Sequence, residues 1–140
     1  MAVKMNLEIR KAVQDDALAI SLHDNWCPEK IIIEKIEKGE IFVVYNGDIF
    51  AGWLRYGFFW DNTPFLYMLH LLSEYRGKGI GKRLVVYWEA EMKKAGYNIL
   101  LTSTAQTETA QHFYEKLGYR AIGSFTLENE PMEILFSKKI

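Results

Sequence analysis

The chain has 140 residues, 49% apolar and 14% aromatic, which is enough to bury one core, so residues 1–140 are read as a single domain. Seventeen basic against eighteen acidic side chains leave a formal charge of -1, with no block of five like charges. That balance argues against nucleic-acid or anionic-membrane binding and favours a small neutral, cationic or amphipathic partner.

The single cysteine, Cys27, excludes an intramolecular disulfide, and MAVKMNLEIRK at the N-terminus has no apolar stretch of a signal peptide. No segment reaches the ~18 consecutive apolar residues of a membrane span, so the expected location is cytoplasmic.

In chain order, Leu7 to Ala12 is a first strand. Asp15 and Asp16 can cap a helix running to about Trp26, with Ala19, Leu22 and Trp26 on one face. Pro28 restarts a short helix, EKIIIEKIEK, that stops at Gly39. EIFVVYNGDIFAGWLRYGFFW then reads as two strands joined at Asn46-Gly47, the dipeptide suited to a type I′ turn. The loop DNTP follows, and FLYMLHLLS forms a fourth strand whose near-continuous apolarity predicts burial on both faces.

Beyond the stretch YRGKGIGK, Ile80, Leu84, Trp88 and Met92 recur every four residues up to Gly96, which predicts a helix of about four turns. NILLTST is a fifth strand, TETAQHFYEKLG a fourth helix ending at Gly118, and YRAIGSF and MEILFSKK two last strands. The whole is an α/β chain with a mixed sheet, and the edge expected from MEILFSKK offers a surface for a homodimer.

YRGKGIGK carries the chemistry. A strand leading through Gly77, Gly79 and Gly81 into a helix gathers unpaired backbone N–H groups and the positive end of the helix dipole, a seat for phosphate. Arg76, Lys78, Lys82 and Arg83 add positive charge, although basic residues beside a helix are commonly only solvated. A Walker A loop would need Gly at Arg76 and Ser or Thr at Arg83, and a dinucleotide fingerprint would need Gly at Lys82. Nothing in the sequence has metal-ligand spacing, and Cys27, with no histidine in a local motif, reads as a structural thiol.

Arg76, Gly79 and Gly81 fit R-x-x-G-x-G, and AQHFYEKLGY at 110 to 119 resembles A-x-x-F-Y-x-K-x-G-F. In this order, within a matching element order, the two motifs resemble the GNAT superfamily of acyl-CoA-dependent N-acyltransferases. The resemblance implies a mostly antiparallel sheet of about seven strands with about four helices, splayed between the fourth and fifth strands where coenzyme A is held.

It implies backbone contacts from Leu69 to Leu71 to the pantetheine arm, and a pyrophosphate seat made by Arg76, Gly77, Lys78, Gly79, Ile80, Gly81 and Lys82. Phe113 would pack near the cofactor and Tyr114 beside the thioester sulfur. Thr107 stands where the family often has Asn, and a threonine there can cap the helix and offer a hydroxyl.

Acetyl transfer from acetyl-CoA to an amine needs the amine neutral, and at pKa ~10.4 that form costs ~4.6 kcal/mol at pH 7. Tyr114 suits a leaving-group stabiliser and general acid, although aromatics at helical spacing usually belong to a core. The resemblance places a carboxylate near Tyr67 or Met68, and this chain has none from Thr63 to Ser73. His70 is the nearest titratable group and the candidate base, against a structural role, or against Asp61, Glu108 or a relayed water.

Trp26, Trp53, Phe58, Phe59 and Trp60 could wall an amine pocket, or belong to the core. The reading is an acetyl-CoA-dependent N-acetyltransferase working by direct transfer in a ternary complex. The alternatives are a non-catalytic acyl-CoA-binding sensor and a nucleotide-binding regulatory domain.

Overall fold

The structure is a computed structural model and describes residues 5–140. The first four residues, within the stretch read for a targeting signal, lie outside the described residues. Among the described residues the strands are β1 (Leu7–Lys11), β2 (Ile41–Asn46), β3 (Ile49–Phe59), β4 (Thr63–Leu71), β5 (Ile99–Ala105), β6 (Arg120–Phe125) and β7 (Glu133–Lys139). The α-helices are α1 (Ala17–His23), α2 (Glu29–Glu37), α3 (Ile80–Lys94) and α4 (Ala110–Lys116).

The strands form one mixed sheet in the order β1-β2-β3-β4-β5-β7-β6. The β4–β5 pairing is parallel and holds only two rungs, Phe65 with Leu101 and Leu66 with Thr102. The chain forms two compact units, one running to Tyr56 and joined by Met68–Trp88, the other made of Gly57–Tyr67 and Glu89–Ile140.

In the first unit, Ile20, Ile32, Ile36, Ile41, Val43 and Trp53 form a core that seats α1 and α2 on one face of the sheet. The other face receives α3: Phe42 meets Tyr87 edge-on at 5.2 Å, and Tyr56 lies 5.9 Å from Trp88. The four-residue recurrence is buried as expected, Ile80, Leu84, Trp88 and Met92 all facing inward.

The first helix differs from its expected form. A 3₁₀ turn at Gln14–Asp16 precedes α1, which ends at His23, and Ala17 and Ile20 face the core. Leu22 and Trp26 stand outside at 70% and 79% exposure. A spacing of four does not say which side of a helix is inner, and Asp16 fixes that side. Its carboxylate is buried, accepts both Arg10 guanidinium nitrogens at 2.8 and 3.1 Å, and takes the Val13 N–H at 2.7 Å.

The β2–β3 turn also departs from expectation. Asn46 pairs with Ile49, so the central residues are Gly47 and Asp48, and Gly47 alone of the two has a positive φ, 59°. That is the pattern of a type II′ turn. Asn46 is free to accept the Asn6 N–H on its side chain at 2.9 Å.

In the second unit, Leu100, Thr102 and Thr104 of β5 are buried with Phe136 of β7. Glu89 ties α3 to β7 and to the α4–β6 connection, accepting Lys138 Nζ at 3.0 Å and the Tyr119 hydroxyl at 2.7 Å. Burial and this carboxylate drive the Tyr119 pKa far upward. Two expectations fail here. β4 is not buried on both faces, since Tyr67 is 45% exposed, and MEILFSKK is not an edge. β7 is paired on both sides, by β5 and β6, so β6 is the outer strand.

β3 and β4 run so close at Gly52 that an added Cβ would lie 2.3 Å from the His70 carbonyl oxygen. Gly52→Ala is expected to cost about 1–3 kcal/mol by forced backbone shift. Gly123→Ala, whose Cβ meets nothing within 4 Å, should stay within about 0.5 kcal/mol. Urea midpoints for the two variants check the contrast.

Candidate functional site

The glycine stretch hangs from two anchors. Tyr75, buried at the end of a 3₁₀ turn, accepts Asn46 Nδ2 on its hydroxyl at 3.4 Å, and Arg76 Nε donates to the Leu71 carbonyl at 2.9 Å. Between them and α3 the backbone takes left-handed values at Gly77 (φ 71°) and Gly79 (φ 79°). A Cβ at either would meet nothing within 4 Å, so conformation rather than crowding requires glycine here. Gly81 lies inside the first turn of α3 and has no such requirement.

The first intrahelical bond runs from the Arg83 N–H to the Gly79 carbonyl at 3.2 Å. The N–H groups of Ile80, Gly81 and Lys82 precede it and are the donors a helix start leaves over. The Ile80 side chain is buried and fixes where the helix begins. Arg76, Lys78, Lys82 and Arg83 are exposed, and among the described residues none of the four is ion-paired. Cations at a helix start oppose its dipole by about 0.3–1 kcal/mol each, and a bound anion reverses that sign. The residues fit a pyrophosphate.

The same unit holds His70, half-buried, its ring 4.8 Å from that of Trp53. Burial lowers its pKa from the ordinary value, the neighbouring Arg76 and His23 lower it further, and Asp24 acts the other way. The imidazole is therefore neutral at pH 7 and able to accept a proton. Leu69 and Leu71 flank it, and the Leu71 carbonyl, expected to be available to pantetheine, is taken by Arg76 in this structure. Asp61, another candidate base, lies in the turn before β4, at the opposite end of the strand.

Asp24 holds the loop between α1 and α2. Its Oδ1 accepts the N–H groups of Trp26 and Cys27 at 3.0 and 3.1 Å, and its Oδ2 accepts Arg55 Nη2 at 3.3 Å. Burial raises the Cys27 pKa, so the group stays a thiol. The five aromatics expected to wall a pocket are not one surface: Trp53 is fully buried in the first unit's core, while Trp26 projects outward.

In the second unit Tyr114 is 4% exposed, and burial pushes its pKa up to about 12, with a hydrogen bond to Thr102 acting in the other direction. Thr102 Oγ1 also donates its proton to the Leu66 carbonyl at 3.1 Å. Phe113 packs edge-on against Tyr114, centroids 5.1 Å apart. Thr107 does not cap α4, which starts at Ala110 after Thr109. The loop there is closed instead by Gln111 Nε2, which donates to the carbonyls of Gln106 and Glu108 at 3.1 Å. No capping signature in the sequence marks Gln111, and Thr102 is invisible without knowing that β4 and β5 pair.

Among the described residues no three His, Cys, Asp or Glu side chains gather as a metal ion would need, and no helix is long and apolar enough to cross a membrane.

A family model described as the acetyltransferase (GNAT) family matches residues 8–119. No curated protein matches. Similar solved structures include an acetyltransferase of the GNAT family from Bacillus cereus, 22% identical with TM-score 0.78, covering 96% of this chain and 97% of that one. PaiA N-acetyltransferase from Thermoplasma acidophilum, in complex with coenzyme A, is 18% identical with TM-score 0.78 over 97% of this chain and 100% of that one. The ribosomal-protein-S18-alanine N-acetyltransferase from Escherichia coli is 19% identical with TM-score 0.79, over 96% and 94% of the respective chains.

Because the His70 pKa is depressed in the folded state, the unfolded chain binds its proton first as pH falls below about 6.5. Stability from this group is present above that pH and is lost on acidification down to the folded pKa. Melting temperatures across that window should fall less steeply in His70→Gln than in the parent; parallel curves would show that the ring is not held neutral.

Proposed function

Since the chain belongs to the acetyltransferase (GNAT) family, we propose that residues 1–140 act as one N-acetyltransferase domain, moving an acetyl group from acetyl-CoA to a primary amine of a small molecule or peptide. The observation that carries this reading is the left-handed pair Gly77 and Gly79 opening α3 among four cations that have no carboxylate partner among the described residues. Similarity to an alanine N-acetyltransferase supports an amine acceptor. Transfer is direct, in a ternary complex, and the setting is cytoplasmic.

Acetyl-CoA supplies the activated acyl thioester; the chain supplies position and proton traffic. Arg76, Gly77, Lys78, Gly79, Ile80, Gly81 and Lys82 hold the pyrophosphate, chiefly through the N–H groups of the first turn of α3. Leu69 and Leu71 offer backbone groups to the pantetheine, the Leu71 carbonyl once Arg76 turns toward phosphate. Thr107 offers a hydroxyl and Phe113 an apolar wall.

His70 takes the proton that the ammonium must lose, its neutral form being the one that burial favours. Tyr114, with a pKa of about 12, keeps its proton at neutral pH and serves as a hydrogen-bond donor to the departing thiolate. A non-catalytic acyl-CoA sensor is the second reading. It is favoured by the absence of a carboxylate from Thr63 to Ser73 and by the engagement of Tyr114 with Thr102.

Calorimetric titration should show acetyl-CoA binding, with ATP and NAD as poor competitors, and an amine panel should then give amine-dependent release of free thiol. Binding without turnover would establish the sensor, and no binding would end both readings. Gly79→Asp should abolish acetyl-CoA binding in a chain that still folds. Tyr114→Phe should keep the affinity and lower kcat by about 10²-fold.

A further inference from the structure

Within the second unit the two faces of the sheet are treated differently. Leu100, Thr102 and Thr104 of β5, with Phe136 and Lys138 of β7, point to the side where Tyr114 of α4 bonds Thr102 and Glu89 of α3 binds Lys138. Directly paired residues share a face. The opposite face therefore carries Ile99 with Lys139, Leu101 with Ser137, Ser103 with Leu135 and Ala105 with Glu133, extended by Phe125 opposite Glu133. Phe65, the partner of Leu101, brings in Tyr67 at 5.3 Å and Phe59 at 6.4 Å.

This second face is left open. Ile99, Tyr67, Phe59 and Phe125 are 41–49% exposed, and Trp60, tilted against Phe59 with centroids 4.7 Å apart, is 79% exposed. Taking ~200 Å² for each ring, these side chains leave roughly 500 Å² of apolar surface on one side, at the upper end of what a monomer shows to water. With its Ser, Lys and Glu rim the face approaches the ~800 Å² that each partner of a standard interface buries.

Trp60 sharpens the point, because it and Asp61 sit in left-handed conformation (φ 55° and 59°) across the Phe59–Asn62 turn. A tryptophan is held there against its steric preference, and its ring is turned to solvent.

We propose that a second copy of the chain docks on this face about a two-fold axis, the two β7 strands crossing antiparallel. The charge pattern selects this occupant. Along the open side β7 reads Glu133, Leu135, Ser137, Lys139, so antiparallel crossing sets Glu133 of each copy against Lys139 of the other, with Leu135 over Ser137. Sheets stacked about 10 Å apart leave a gap that the two long side chains together span. The contact is isologous and closes at two. It corrects the location of the expected dimer surface from the edge of MEILFSKK to its face.

Sedimentation equilibrium of the full chain tests this without reference to activity. A dimer with Kd of about 10 µM or tighter is expected, weakening as salt is raised. Glu133→Lys and Lys139→Glu should each raise Kd about tenfold, since the axis counts every pair twice, and the double variant should restore it. Phe125→Glu, monitored for fold by circular dichroism, should give a monomer. A parent chain that stays monomeric at every concentration overturns the proposal, as does a dimer indifferent to all of these changes.

Discussion

Thr102 carries more of this structure than its size suggests. Parallel strands pair less stably per residue than antiparallel ones, and here the parallel ladder is two rungs long. At one of those rungs the Thr102 hydroxyl bonds the Leu66 carbonyl and, from the same oxygen, the Tyr114 phenol. Strand pairing in the second unit and the placement of the proposed acid thus depend on one buried hydroxyl, which water cannot replace at zero exposure. A valine of equal shape would leave the Leu66 carbonyl and the phenol to find other partners.

Charge in the first unit is divided by purpose. Its two buried aspartates are satisfied internally: Asp16 by Arg10, the Tyr45 hydroxyl and the Val13 N–H, Asp24 by Arg55 and two loop N–H groups. For Asp16 burial alone would favour the neutral acid, and these donors hold the pKa below the usual carboxylate range. Among the described residues the cations of the Arg76–Arg83 stretch have no carboxylate partner, and Arg76 bonds only the Leu71 carbonyl. Buried charge here serves structure, and exposed charge is left for a ligand.

Element order and the inward row of α3 were legible in the sequence because each rests on a local rule. Helix stops at Gly39, Gly96 and Gly118 coincide with positive φ at all three, and the four-residue recurrence of Ile80 to Met92 is long enough to be unambiguous. What escaped depended on partners distant in sequence. Leu22 and Trp26 share a helical spacing with a core that lies on the other side, set by Asp16. Tyr67 and Phe65 are equally apolar neighbours of one strand, yet only pairing with β5 tells which is covered.

The two hairpin turns show the same division within one kind of element. Asn46-Gly47 has the composition of a type I′ turn, and the register moves the turn one residue on, to a form needing glycine at its first central position only. Phe59–Asn62 has no glycine, and it is there that two successive residues are left-handed. Composition states what a turn can adopt; the pairing of its flanking strands states what it must. At Trp60 the requirement overrode the preference, and the product is a large ring held in water beside Phe59, Phe65 and Tyr67. A strained, exposed aromatic next to an uncovered sheet face has no reason in the stability of the single chain, and a reason in contact with another surface.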